Sequence, residues 1–219
     1  MRHDAALRES VAAALRQFPV QAVPDDGTHG RAAVALVISE AGFGAGWGGL
    51  PHHAQWSAEA ALILTRRALH LRRHANQWAL PGGRIDTGET PEQAALRELR
   101  EEVALELPRE AVLGRLDDYA TRSGFAITPV VLWADAARAM VANPDEVASI
   151  HRIALDEFLR PDAPMLEHGI HAQPVLRMPV GDNWIAAPTA AFLYQFREVC
   201  LCGRFTRVAH FEQPEFAWR

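Results

Sequence analysis

The chain has 219 residues, 49% of them apolar and 22% charged, with a formal net charge of −5. That is the balance of an ordinary globular protein, and its acidic sign argues against a broad nucleic-acid-binding surface, which needs clustered positive charge. Cys200 and Cys202 are one residue apart, too close to staple distant elements and without the further ligands of a zinc site, so they read as thiols in a reducing compartment.

Along the chain, Leu7, Val11, Leu15 and Phe18 recur at three- or four-residue steps and predict a helix over Ala5–Gln17. Pro19, Pro24 and the run Asp25-Asp26-Gly27 end it. Arg31–Ser39 and Ala60–Thr65 are short apolar runs of buried-strand type. The Gly-, Pro- and His-rich stretch Ala41–Trp56 between them reads as an irregular surface connection. Arg66–Asn76 gathers Arg66, Arg67, Arg72, Arg73, His70 and His74, and Trp78-Ala-Leu-Pro-Gly-Gly reads as a strand end entering a glycine turn. Thr90–Val103 predicts a helix with Thr90 as N-cap, Pro91 at the first helical position and Gln93 closing a capping box. Strands follow at Gly114–Asp118 and Phe125–Trp133, then a polar turn at Asn143-Pro-Asp-Glu and an apolar run over Ile150–Leu155. Val175–Trp184 predicts a hairpin around Gly181-Asp182-Asn183, and Ala187–Cys200 a second long helix with Phe192, Leu193, Phe196 and Val199 on one side. There is no signal-peptide run and no apolar stretch of ~20 residues, so the expected location is cytoplasmic with no membrane partner.

On the helix begun at Thr90, Glu98, Glu101 and Glu102 fall within a sector roughly 100° wide, while Leu96, Leu99 and Val103 fall on another that can face a core. Three carboxylates on one face repel, and Arg97 can reach Glu101 at i+4 to offset part of that. The remaining crowding suits a hard divalent cation, Mg²⁺ or Mn²⁺, both of which take oxygen ligands. Gly82-Gly83 permits the tight turn that brings backbone to the same place. A bare Glu-x-x-Glu-Glu would more often be a solvated acidic face; the flanking residues change those odds.

From Gly83 to Leu105 the spacing is Gly, five residues, Glu89, seven residues, Arg97-Glu98-Leu99, one residue, Glu101-Glu102, one residue, Ala104-Leu105. This resembles the Nudix hydrolase signature, Gly-x5-Glu-x7-Arg-Glu-U-x-Glu-Glu-x-Gly-U with U aliphatic. Every charged position matches, and Ala104 stands where the family has glycine, a departure that bears on helix termination more than on ligation. The resemblance implies an α/β fold, a Nudix α/β/α sandwich with a mixed central sheet. Added to it are an N-terminal helix with its linker (1–25) and a hairpin and helix extension (166–219), around a core over 30–165, all as a single domain. It implies metal-dependent hydrolysis of a nucleoside-diphosphate derivative, with Glu98, Glu101, Glu102 and the Gly83 carbonyl as metal ligands. Glu89 and Arg97 would orient and neutralise. The general base would be a box glutamate or one from a later loop, here Glu146; an exposed turn acid is an equally good reading of that residue.

Ile63-Leu-Thr-Arg-Arg-Ala68, Arg72 and Leu80-Pro-Gly-Gly83 are similar to the coenzyme A pyrophosphatase subgroup, as are Leu116–Val131 and Asn143–Val147. Asn76, Leu80 and Ile63 depart from that subgroup's pattern. The similarity implies coenzyme A or an acyl derivative as substrate, giving 3′,5′-ADP and (acyl-)phosphopantetheine, with Arg66, Arg72, Gly82 and Gly83 at the substrate. Arginines suit a cofactor that carries a 3′-phosphate beside its diphosphate. ADP-ribose, dinucleotide polyphosphates or another nucleoside-diphosphate derivative are the alternatives. A Nudix-fold binding module without turnover is a further one, against which the full set of box carboxylates stands. The aromatic tail (Phe205, Phe211, Phe216, Trp218) offers a surface for the core or for a second copy, which leaves a homodimer open.

Overall fold

The computed structural model describes residues 1–71, 74–135, 137–168 and 174–213. Helix α1 (Ala5–Gln17) begins where the Asp4 side chain accepts the Leu7 N–H at 3.0 Å and ends at Phe18, whose backbone is extended ahead of Pro19. Strand β1 (Gly30–Gly44) then pairs antiparallel with β2 (His52–Arg67). The stretch expected to be an irregular connection is therefore mostly the far end of this hairpin. Register shifts at Gly42 and Gly44, both at positive φ, bend it, and the connection proper is short.

β3 (Trp78–Ala79) pairs antiparallel with β2 at Thr65 and Arg66, and β4 (Gly82–Arg84) lies antiparallel to the start of β1. Helix α2 (Pro91–Val103) carries the predicted capping box, Thr90 and Gln93 bonding reciprocally. It ends at Ala104 in the left-handed conformation, φ 53° and ψ 30°. β5 (Val112–Arg115), β6 (Tyr119–Ala120) and β7 (Phe125–Trp133) follow, then β8 (Val147–Ala154). β7 runs parallel to β1, with Gly30 opposite Phe125 and Ile38 opposite Trp133, and the other partners are antiparallel, so the sheet is mixed. Beyond a 3₁₀ turn at Leu155–Leu159 come β9 (Met165–His168), β10 (Pro174–Val180) and β11 (Asn183–Ala186), a separate antiparallel sheet whose β10–β11 turn falls where the hairpin was expected. Helix α3 (Thr189–Phe196) is shorter than the predicted Ala187–Cys200 because the chain loosens into a π turn over Arg197–Leu201.

Alternation along β1 and β2 distributes the core. Leu36, Ile38, Leu62 and Leu64 face α1 and α3, meeting Val11, Leu15, Phe192 and Phe196. Ala33, Ala35, Val37 and Ile63 face α2, meeting Ala94, Ala95, Leu99 and Val103. The fold is thus an α/β sandwich with helices on both faces of a mixed sheet, as the sequence implied. Small alanines on the α2 side let that helix approach the sheet closely, which brings its acidic edge down onto β4. Among the described residues, no helix is long and apolar enough to cross a membrane.

Candidate active site

α2 and β4 build the site together. A Cβ at Gly83 would lie 2.2 Å from Glu98 Oε1, so only glycine there leaves room for that carboxylate. A Cβ at Gly82 would meet the Ala33 carbonyl oxygen at 2.3 Å, so this glycine sets how close β4 comes to β1.

Arg97 organises the acids. Its Nε donates to Glu89 Oε1 at 3.0 Å and its Nη2 to Glu89 Oε2 at 3.1 Å and to the Arg84 carbonyl at 2.8 Å. Its Nη1 donates to Glu98 at 2.8 Å and Glu101 at 3.2 Å. The anticipated i+4 bond to Glu101 is present but is the longest of the set. Arg97 holds the Glu89 carboxyl below its ordinary value, and Glu89 in turn keeps Arg97 firmly charged.

The three box glutamates do not share a solvated face. Glu101 is half exposed, Glu98 is largely buried and Glu102 is buried outright. Burial, then the negative charges of Glu98 and Glu146, push the Glu102 carboxyl up to about 8, opposed by Arg67 and by a backbone hydrogen bond from Gly82. Burial also raises Glu98, against its hydrogen bond and charge attraction to Arg97, with Glu101 and Glu146 adding to the rise. Glu146 is exposed on the turn after Asn143, yet its charge reaches both Glu98 and Glu102. The backbone explains why: Val141 and Asn143 N–H groups donate to the carbonyls of Val103 and Glu102, and Ala68 N–H donates to the Glu146 carbonyl. That loop is sewn to the end of α2 and to β2.

Two facts bear on a cation here. Among the described residues, no three acidic, imidazole or thiol groups sit close enough together to enclose an ion as they stand, and Glu98 and Glu101 are both bonded to Arg97. Yet the donors are all hard carboxylate oxygens, and burial together with their mutual repulsion raises two of them. That is the environment a hard divalent cation relieves, so the residues fit Mg²⁺ or Mn²⁺.

Of the arginines, Arg67 was read only as part of the basic segment, but it is the cation whose charge reaches Glu102, and it lines a cavity of about 280 Å³ with His74, Gln77, Leu80, Phe125 and Thr189. The β2–β8 register shifts between Arg66 and Arg67, and the two line different cavities. Arg66 lies between Trp47 and Trp78, its guanidinium carbon 5.0 and 5.1 Å from their ring centres. It lines a second cavity of about 230 Å³. The two cavities share Gln77, Trp78, Pro188 and Thr189, forming one cleft under the start of α3. Arg72 lies outside the described residues.

The model of the NUDIX domain matches residues 55–173. Over 103 residues the chain is 43% identical to a protein named "Uncharacterized Nudix hydrolase NudL" from Yersinia enterocolitica, covering 47% of this chain and 53% of that one; the match spans about half the relative's length. Among solved structures, it is similar to RenU, a Nudix hydrolase from M. smegmatis (23% identity, TM-score 0.46, 82% of this chain and 90% of that chain). It is also similar to a MutT protein from Methanosarcina mazei Go1 (15% identity, TM-score 0.46, 82% and 96%).

Proposed function

Because the chain belongs to the Nudix family, whose model covers more than half of it, we propose that it hydrolyses the diphosphate bond of a nucleoside-diphosphate derivative, with coenzyme A or an acyl-coenzyme A as the favoured substrate. The observation that carries this reading is the convergence of Glu98, Glu102 and Glu146, coupled in charge, with Arg67 bridging from that cluster into the cleft. Catalytic acids and bases are set by such environments.

In this reading Glu98, Glu101, Glu102 and the Gly83 carbonyl hold Mg²⁺ or Mn²⁺, which Nudix hydrolases generally need. When bound, the cation neutralises the diphosphate and acidifies a water. The chain's own residues do the rest. Arg97 keeps Glu89 in place through both its oxygens and bonds Glu98 through Oε1 alone, leaving Glu98 Oε2 for the cation. Gly82 and Gly83 give the diphosphate access to backbone without side-chain obstruction. Arg67 offsets phosphate charge at the mouth of the cleft, and Arg66 and Arg72 serve the remainder of the substrate. Glu146 is exposed and adjacent, so it is the base that takes the proton of the attacking water, its carboxylate able to return it to solvent. The protein works as a soluble cytoplasmic enzyme on a small nucleotide, and its exposed Phe205 gives a second copy a surface to cover.

The test is a substrate panel. Purified protein is incubated with coenzyme A, ADP-ribose, NADH and a diadenosine polyphosphate, with Mg²⁺, Mn²⁺ or chelator, and products are read by mass. Release of 3′,5′-ADP and 4′-phosphopantetheine that stops with chelator is the expected result. Cleavage of another compound alone keeps the chemistry and removes the coenzyme A assignment; turnover that persists in chelator removes the metal.

A further inference from the structure

Glu146 stands on an exposed turn, yet a general base must come within about 2.6–3.2 Å of the group whose proton it takes. Exposed turns are ordinarily among the more mobile parts of a chain. This one is held by bonds from two other elements. The Asn143 N–H donates to the Glu102 carbonyl at 2.9 Å, tying the start of the turn to the end of α2. The Ala68 N–H donates to the Glu146 carbonyl at 2.9 Å, just past the Arg67–Val147 pair of the β2–β8 ladder. Both are backbone bonds and do not depend on which side chains are present.

A third bond is made by a side chain. His70, in the basic segment after β2, brings Nε2 to 3.1 Å from the Asp145 carbonyl oxygen. A carbonyl only accepts, so Nε2 carries the hydrogen, which both the neutral and the charged ring allow. His70 is itself steadied by a turn that the Leu71 N–H closes on the Ala68 carbonyl at 3.4 Å. Its side chain is exposed, so core packing does not account for it.

The identity of that acceptor matters. The Asp145 carbonyl and the Glu146 N–H belong to one planar peptide unit and point opposite ways. His70 holds the carbonyl end, and the Asn143 carbonyl accepts the N–H end at 3.1 Å. The Asp145 N–H is taken in turn by Asn143 Oδ1 at 3.2 Å. Held at both ends, the plane resists rotation, and its orientation sets the direction in which the Glu146 side chain leaves the turn. Without His70 the carbonyl end is free to swing toward solvent.

We propose that His70 is a positioning residue for the hydrolysis: it orients the Asp145–Glu146 peptide so that the Glu146 carboxylate faces the attacking water beside the box carboxylates. This rests on the reading of Glu146 as the base. His70 acts through Glu146 and not on the substrate, so its loss falls on kcat and spares KM. Misplacing a reacting group by about 1 Å costs on the order of 100-fold, and losing one of three tethers should cost part of that.

The experiment uses the full chain with Mg²⁺ and whichever of coenzyme A, ADP-ribose, NADH and a diadenosine polyphosphate it cleaves. His70→Ala should lower kcat about tenfold and leave KM within about twofold. His70→Gln, which sets an N–H donor at a similar reach, should return kcat to within about threefold of the parent. Glu146→Gln should lower kcat by about 100-fold or more. Adding His70→Ala to it should cost nothing further, because the two act as a unit. Parental kcat in His70→Ala, a raised KM with kcat kept, or full additivity in the double variant overturns the positioning role. Parental kcat in Glu146→Gln instead overturns the base assignment beneath it. Hydrogen exchange needs no turnover: the Asp145, Glu146 and Val147 amides should exchange faster in His70→Ala and at the parental rate in His70→Gln. Unchanged exchange in His70→Ala overturns the tether whatever the activity.

Discussion

At the scale of single residues, Glu102 is where chemistry and burial conflict most. The helical wheel places it among acids, and the sequence reading therefore assigned it to a polar face. Its burial depends on β4 reaching α2, a contact made across the fold that no local pattern encodes. Glu102→Gln is expected to lower kcat by more than about 100-fold, since even the partners of metal ligands cost 10- to 100-fold. It should melt no lower than the parent at neutral pH, because it removes a carboxyl whose charge the site disfavours. Near-parental turnover would remove Glu102 from the metal site. His151 makes a second prediction. Burial, with the nearby charge of Arg66, lowers its affinity for a proton, against the bond that its ring N–H donates to the Ala45 carbonyl. The unfolded chain thus binds the proton more readily, so stability is complete above the ordinary histidine value of 6.5 and declines as pH falls through and below it. Melting curves at pH 7.5 and 5.5 should show that decline, and His151→Gln should show less of it; an unchanged difference would exclude His151 as the source.

At the scale of elements, α2 was legible almost to the residue because its signals are local. Thr90, Pro91 and Gln93 mark its start, and an apolar stripe marks its buried side. The hairpin of β1 and β2 beyond Ser39 was not legible. Its glycines and histidines resemble loop composition, whereas its strand character comes from cross-strand partners such as Gly42 with Ser57 and Gly44 with His52. The Arg66–Arg67 pair shows a related limit: neighbours in one basic cluster line two different cavities of the cleft, a division set by the packing of β2 rather than by local composition. The Ala104 departure was read correctly as a matter of helix termination. At φ 53° it occupies a conformation that costs a non-glycine residue energy. Ala104→Gly should stabilise the chain by about 0.5–1 kcal/mol after allowing for glycine's unfolded-state entropy, with activity unchanged. Urea unfolding checks it, and a destabilised variant would contradict the capping account.

At the scale of the whole molecule, the C-terminal extension is fastened to the sheet through buried Asp117. Its carboxylate receives Arg207 Nη1 at 2.7 and 2.9 Å, Gln195 Nε2 at 2.8 Å and the Gln21 N–H at 2.7 Å. Asp118 similarly receives Arg31, the Val23 N–H and Thr128. The Leu116–Val131 stretch, noticed in the sequence as a subgroup resemblance, thus has a structural task that joins three distant parts of the chain. Arg207→Met should destabilise by about 2 kcal/mol, a value reduced from that of a fully buried pair because Arg207 is about a third exposed. Adding Asp117→Asn should return part of that stability. If the double variant is as unstable as the sum of the singles, the pair is not acting as a pair.

The parallel register of β1 and β7 also governs the order in which this chain can assemble. β1 leaves the ribosome well before β7, yet β7 is the partner on one of its sides, with Gly30 waiting for Phe125. Its other neighbours, β2 and β4, are available sooner, and α2 can form from its own caps. A nascent chain therefore holds a half-built sheet with the β7 edge of β1 unpaired through much of synthesis, the circumstance in which strands join the wrong neighbour. Refolding should accordingly be slower than for a helical protein of this length, because that pairing must close a long loop before anything compensates for it.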